Sequence, residues 1–287
     1  SLAPCDTISV YFTGANQYNF ASGGSYSIKA YTDGPNGTTD ANANNDTVTT
    51  STYCTGMSGA YTINPGGSGA TNYTTFADAV AALQCGGVNG PVTFTVSAGT
   101  YSEQVTIPSI SGASATNTIT FDGGAAAGTI LDFSASSTTA AHTVRIDNAS
   151  YITLRNLTLH GSGGTYANTL HIYGSCNYIK VKNCVIDITG AGTVSTSTNF
   201  VPVIINGSTS VSNSTGSRPT NLEIDSNTIQ YGYYGIVSYA LTSAPHATNF
   251  KFRKNTLDST YLYGIYANNY IDTIYVNSNT VNLRISG

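Results

Sequence analysis

The sequence predicts an all-β chain built around a right-handed parallel β-helix. Three observations carry that prediction. The first is a template of apolar, any, apolar, four residues, apolar, met at Ile152/Leu154/Leu159, Ile179/Val181/Ile186, Leu222/Ile224/Ile229, Phe250/Phe252/Leu257 and Ile274/Val276/Val281. Its centres lie 27, 43, 28 and 24 residues apart, the spacing of solenoid coils with one long insertion. The second is a short apolar strand near most copies: "TVRI" at 143–146, "TLHI" at 169–172, "PVII" at 202–205, "YGIV" at 234–237 and "YGIY" at 263–266. The third is composition: only 8% of the 287 residues are charged, Trp is absent, and Gly, Ser, Thr, Asn and Tyr fill the space. Period-2 strands separated by Gly, Asn and Ser suit coils whose alternate side chains enter a narrow core.

Residues 1–53 have another rhythm. "DTISVYF", "GSYSIKAYT" and "DTVTTSTY" read as strands around "TDGPNGTTDANANND". Three strands are too few for an independent sandwich, so this stretch is expected to be the C-terminal part of an immunoglobulin-like β-domain. Within it, Asp40, Asn42, Asn44 and Asp46 alternate hard oxygen ligands that fit calcium, against an Asx-rich turn without metal. No other cofactor is expected.

Residues 54–72 read as a linker. "YTTFADAVAALQCGG" at 73–87 is the one expected helix, with Thr75 as its cap and Asp78 three residues on. It would cover the open end of the first coil, where unpaired strand edges invite aggregation. From 73 to 287 the chain reads as helix cap plus β-helix, with the solenoid expected to continue past Gly287. Asn156, Asn183, Asn227, Asn255 and Asn279 punctuate the turn after each central strand. The first two lie two residues past the central apolar position and the last three lie three past, so one unbroken amide ladder does not follow.

The net charge is −4 and the pI about 5.4, with ten Lys and Arg scattered along the chain. That argues against a nucleic-acid partner. No apolar run reaches the roughly 20 residues that span a bilayer, so no membrane insertion by this segment is expected. The five cysteines, Cys5, Cys54, Cys85, Cys176 and Cys184, lack zinc spacing. A Cys54 to Cys85 disulfide is the preferred pairing, tying the segment ahead of the helix to the helix end.

Candidate chemistry is sparse. No catalytic residue is assigned. Gln104 and Gln230 stand alone, Arg145 with Asp147 reads as a surface pair, and "NTLD" and "LHG" only graze a hydrolase pattern. His142, His160, His171 and His246 show no converging spacing, although His160 and His171 could stack on consecutive coils. The surface feature that stands out is tyrosine: "QYGYYG" at 230–235 and "STYLYGIY" at 259–266 fall at corresponding places in neighbouring coils. Tyr231, Tyr233, Tyr234, Tyr261 and Tyr263 are therefore expected along one flank, either as a carbohydrate-binding face or as a structural ladder.

Phe76, Ala79 and Val80, followed by Gly99, Tyr101, Glu103, Val105 and Ile107, resemble the "tFxxAvxA" helix and "GxYxExVxI" first coil of the pectate-lyase-like superfamily, pectin methylesterases especially. The whole pattern, from "DANANND" through "YCTGMSGAYTIN" to the Asn-punctuated coils, resembles large secreted surface proteins of bacteria that use type IX secretion. That resemblance implies a cell-surface or secreted adhesin, handled by secretion machinery during export. It also implies O-glycosylation at Thr7, Thr47, Ser259 and Thr273, each following Asp. The expectation is a non-enzymatic adhesin or stalk contacting polysaccharide or another surface ligand. A polysaccharide-active β-helix lyase, hydrolase or esterase, or a plain spacer, are the alternatives.

Overall fold

The computed structural model describes residue 20 and residues 23–31, 47–49, 53–188, 196–209 and 214–284. Its main body is a right-handed parallel β-helix whose coils each contribute one strand to three parallel sheets. The first sheet has nine strands, the second seven and the third six. Each coil runs through the first sheet, then the second, then the third, as in Ile119–Asp122, Thr129–Phe133 and His142–Asp147.

Register explains the repeated template. In the first sheet Phe94, Phe121, Leu154, Val181, Ile224, Phe252 and Val276 stack as direct partners from coil to coil. In the second sheet the inward column is Tyr101, Leu131, Leu159, Ile186, Ile229, Leu257 and Val281. Because strand side chains alternate faces, the residue after each inward one points to solvent. The template positions are buried in the four earlier copies. Ile274, Val276 and Val281, on the outermost strands of these sheets, are exposed.

Helix α1 spans Phe76–Gly86 and closes the first coil. Thr75 is its N-cap, its hydroxyl accepting from the Asp78 N–H at 3.0 Å. The Phe76 ring stands edge-on to Tyr101 at 5.2 Å and lies over Phe121 at 5.9 Å, so the helix seals the core stack. The cap has a second component. The Glu103 carboxylate accepts from the N–H groups of Phe76 at 2.9 Å and Ala77 at 3.0 Å, satisfying two donors that a helix start leaves free.

The reading of 54–72 as a linker is corrected. Met57–Ile63 is a strand of the first sheet, paired in parallel with Val88–Val96, and Met57, Tyr61 and Ile63 are buried. Its alternating buried and exposed residues require a sheet neighbour, which the chain supplies only after passing through α1. The Cys54–Cys85 disulfide joins the start of this segment to the last turn of α1, with Cα atoms 5.6 Å apart. Cys176 and Cys184 are free and buried, their thiols pushed up to about 12 by desolvation.

Ahead of the β-helix, two short antiparallel pairs are described: Ser25–Tyr26 with Tyr53–Cys54, and Lys29–Tyr31 with Thr47–Thr49. The Thr55 N–H donates to the Gly24 carbonyl at 3.1 Å, continuing the first pair toward the β-helix. The rest of the expected immunoglobulin-like portion, including Thr7 and the Asp40, Asn42, Asn44 and Asp46 stretch, lies outside the described residues, as does Cys5.

Candidate functional site

Two consecutive strands of the third sheet, Tyr234–Tyr239 and Tyr263–Asn268, pair in parallel with Tyr234 opposite Tyr263. The turns before them are also tied rung to rung: the Tyr261 N–H donates to the Gly232 carbonyl and the Leu262 N–H to the Tyr233 carbonyl. Tyr233 therefore meets Tyr261, their ring centroids 5.6 Å apart. Tyr234 stacks on Tyr263 at 6.0 Å with the planes 1° apart. Tyr266, on the outer face of the same strand, lies 5.2 Å from Tyr234 and 5.4 Å from Tyr263, near-parallel to both. Tyr239 closes the group edge-on at 6.1 Å from Tyr266.

Four of the five expected tyrosines thus come together, and Tyr239 and Tyr266 join them. Tyr239 and Tyr266 share the outward parity of Val237, opposite to the core residues Ile236 and Ile265, whereas Tyr234 and Tyr263, at the strand starts, join them against that parity. Tyr231 departs. It adopts a left-handed backbone, φ 65°, and packs instead against Ala167, Ile188 and Phe200.

The cluster has a buried floor and an exposed rim. Tyr234 and Tyr239 pack with Val201, Ile204 and Val237 in a second apolar cluster, separate from the β-helix core. Desolvation raises both phenols above their ordinary value. Tyr261 and Tyr263 are 38% and 47% exposed, and the Arg284 guanidinium lies 5.3 Å above the Tyr261 ring. The rim rings are held by other rings rather than by flexible aliphatics, which lowers the entropy lost when a ligand orders them.

Of the remaining expected residues, Ser259 has φ 58° and its hydroxyl reaches the Asp258 carboxylate at 3.3 Å. Thr273 is half-buried in the turn before Ile274–Asn277, and Thr47 begins the strand Thr47–Thr49.

The histidines divide differently from expectation. His171 neighbours His142, not His160, with rings 6.3 Å apart on the third sheet. The two are 5% and 4% exposed, and burial lowers their pKa values to about 4 and about 3. Asn206 shares a 2.7 Å hydrogen bond with His171, and Arg145 pairs with Asp147 at 3.3 Å while lying over Tyr173. His160 belongs to the second sheet, where register places it between Asp132 and Asp187, at 2.7 and 3.4 Å. His246 contacts Asp272 at 2.7 Å and stacks on Tyr270. Among the described residues no three His, Cys, Asp or Glu side chains converge to hold a metal ion.

Gln104 donates to the carbonyls of Ala140 and His142, and Glu103 caps α1, so these two side chains are spent on structure. Tyr101 donates to the carbonyls of Ile63 and Ser97. The residues carrying the superfamily resemblance therefore build the closed end of the β-helix.

No family model and no curated protein matches the chain. Among solved structures, it is similar to the pectin methylesterase from Aspergillus niger in deglycosylated form. The identity is 15%, the match covers 80% of this chain and 76% of that one, and the TM-score is 0.38. A second structure of that enzyme, carrying an N-acetylglucosamine stub, matches over the same shares with 16% identity and a TM-score of 0.37.

Proposed function

We propose that this chain is a non-enzymatic segment of a secreted surface protein, an adhesive module that contacts polysaccharide through the tyrosine cluster on the third sheet. The observation that carries the reading is the exposed Tyr263 ring held parallel to Tyr234 and Tyr266, with exposed Tyr261 one turn away. Flat, immobilised aromatic faces with hydroxyl edges suit the apolar faces and hydroxyl rims of sugar rings. His142, His171 and Asn206 are buried, hydrogen-bonded or edge-on to one another, and the more open His160 is held between Asp132 and Asp187 as a coil-to-coil ion column, an arrangement that suits structure and binding.

The disulfide fits folding in an oxidising compartment, and no helix among the described residues is long and apolar enough to cross a membrane. Export by secretion machinery, a cell-surface location and O-glycosylation at Thr7, Thr47, Ser259 and Thr273 belong to the same proposal. So does calcium at Asp40, Asn42, Asn44 and Asp46.

The test is incubation with a panel of plant, algal and bacterial polysaccharides, scoring retained protein together with released sugars, unsaturated products and methanol. Retention without products, weakened about tenfold in Tyr263→Ala, is the expected result, on the scale of one lost stacking contact. Product release by rigorously purified protein would overturn the reading in favour of a polysaccharide-active enzyme. Retention indifferent to Tyr261→Ala and Tyr263→Ala would remove the cluster as the contact surface.

A further inference from the structure

The outer face of the first sheet gathers half of the ten Lys and Arg residues of a chain that is acidic overall: Arg155, Lys180, Lys182, Lys251 and Arg253. Most are spent on neighbours. Arg155 pairs with Asp122 at 2.8 Å. Lys182 reaches Glu223 at 3.2 Å, while Arg253 holds both Glu223 and Asp225. Lys251 is the rung partner of Glu223, yet that carboxylate is already held by Lys182 and Arg253. Among the described residues neither Lys251 nor Lys180 has an ion-pair partner, and exposed Lys254 adds a further positive charge in the next turn.

Lys251 also lines a hollow of about 330 Å³ on the outer face of the last two strands, together with Asn249, Arg253, Tyr275 and Asn277. Register puts Lys251 opposite Tyr275 and Arg253 opposite Asn277. Tyr275 is 54% exposed. The hollow thus combines one ammonium without an ion-pair partner, two carboxamides, a phenol and the Arg253 side chain, whose guanidinium is held by Glu223 and Asp225. Several donors around one positive charge match a tetrahedral oxyanion with three free oxygens better than a two-oxygen carboxylate. The carboxamides and the tyrosine ring suit the sugar that carries it.

We propose that this hollow binds a sulfate ester of a sulfated polysaccharide, Lys251 supplying the charge and Tyr275 the platform for the sugar. Lys180 lies two rungs from Lys251 on the same outward row, about 9 to 10 Å away at the ordinary strand spacing. It takes a second sulfate on the same chain. This site is on a different sheet from the tyrosine cluster, so the two proposals stand or fall separately.

The experiment measures binding of the full 287-residue chain to dextran sulfate, with dextran, polygalacturonate, inorganic sulfate and single-stranded DNA as comparison probes. Salt-sensitive binding to dextran sulfate is expected, weakened about tenfold by Lys251→Gln, the scale of one charge-assisted hydrogen bond. Lys180→Gln with Lys251→Gln should weaken it further. Lys29→Gln, on the separate Lys29–Tyr31 strand, should leave it unchanged at an unchanged melting temperature. Equal binding by Lys251→Gln and the parent would overturn the site. Polygalacturonate or DNA bound as tightly as dextran sulfate would overturn the ligand class. Competition by inorganic sulfate at comparable concentration would show a free-anion site and overturn the polysaccharide.

Discussion

Cys184 donates its backbone N–H to the Asn227 side-chain oxygen, 2.9 Å away, and fills in its own coil the inward position that Asn227 fills in the next. From there the amides run as a ladder. The Asn227 carboxamide donates to Asn255 and the Asn255 carboxamide to Asn279, each at 3.0 Å. Each also donates to a carbonyl of the preceding coil: Val181, Ile224 and Phe252. The same carboxamide oxygens accept the backbone N–H groups of Cys184, Asn227 and Asn255, so buried backbone that strand pairing leaves free is satisfied by side chains.

Asn255 is the middle rung, fully enclosed. Asn255→Ala strips partners from the Asn227 amides, the Ile224 carbonyl and the Asn279 oxygen at once, and should destabilise the chain by about 3 kcal/mol. Cys184→Asn should be neutral or stabilising, because the new amide finds the Asn227 oxygen below it and the Leu154 carbonyl that the thiol already faces. Urea unfolding of both variants checks this. A Cys184→Asn loss as large as that of Asn255→Ala would mean the ladder cannot extend.

The template positions were legible because they are set by a local period, and the structure puts all but the last copy in the core. The asparagines were only half legible. Asn156 and Asn183 adopt φ 56° and 53°, a turn role that Ser226, Lys254 and Ser278 take in later coils, where asparagine moves one place on and points inward. The offset is visible in the sequence, but its meaning needs the register between coils. The strand Met57–Ile63 was missed because its sheet partner lies beyond a helix. The Asp132, His160, Asp187 column was missed for a similar reason: only coil-to-coil pairing aligns residues so far apart in sequence. Tyr231 failed the flank reading because parity breaks at the left-handed turn that it and Gly232 form.

Glu103 is expected to matter for the helix and not for any reaction. Removing its carboxylate in Glu103→Ala frees two N–H groups at the start of α1 and should cost about 1 to 2 kcal/mol. Glu103→Gln, which keeps one acceptor, should cost less. Hydrogen exchange at the Phe76 and Ala77 amides reports the loss directly, and unchanged protection in Glu103→Ala would remove the capping role.

Cys54 and Cys85 close a loop with a sequence separation of 31 and tie the segment carrying Met57 to α1. Loop-closure entropy gives about 3 to 4 kcal/mol for that span. Cys54→Ser with Cys85→Ser should lower stability by that order and loosen the helix against the first coil. Peptide mapping under non-reducing conditions that found both thiols free in the parent would sink the prediction. Cys176 and Cys184, whose thiols are buried and shifted upward, should stay unmodified by iodoacetamide until the chain unfolds.

Acid should destabilise the β-helix in two separate stages. His142 and His171 face each other, Thr106, Arg145, Asp147, Tyr173 and Asn206. Burial, with Arg145 nearby, holds them neutral down to about 3 and about 4, whereas in the unfolded chain they protonate near 6.5. Above pH 6.5 both states are neutral and stability is full. As pH falls below 6.5 the unfolded chain binds the protons first, so stability drops by up to about 1.4 kcal/mol per pH unit for each histidine until its folded pKa is reached. Asp122 and Asp225 act later: burial raises their pKa values, but hydrogen bonds and neighbouring cations together outweigh it and lower them, so their contribution is present above 3.8 and is lost only on further acidification. Urea unfolding at pH 7, 5.5 and 4.5 should therefore show a steady loss that His171→Gln makes shallower, since glutamine keeps a polar partner for Asn206 without taking up a proton. Equal stability of the parent at pH 7 and 4.5 would show that the two imidazoles are not held neutral by the fold.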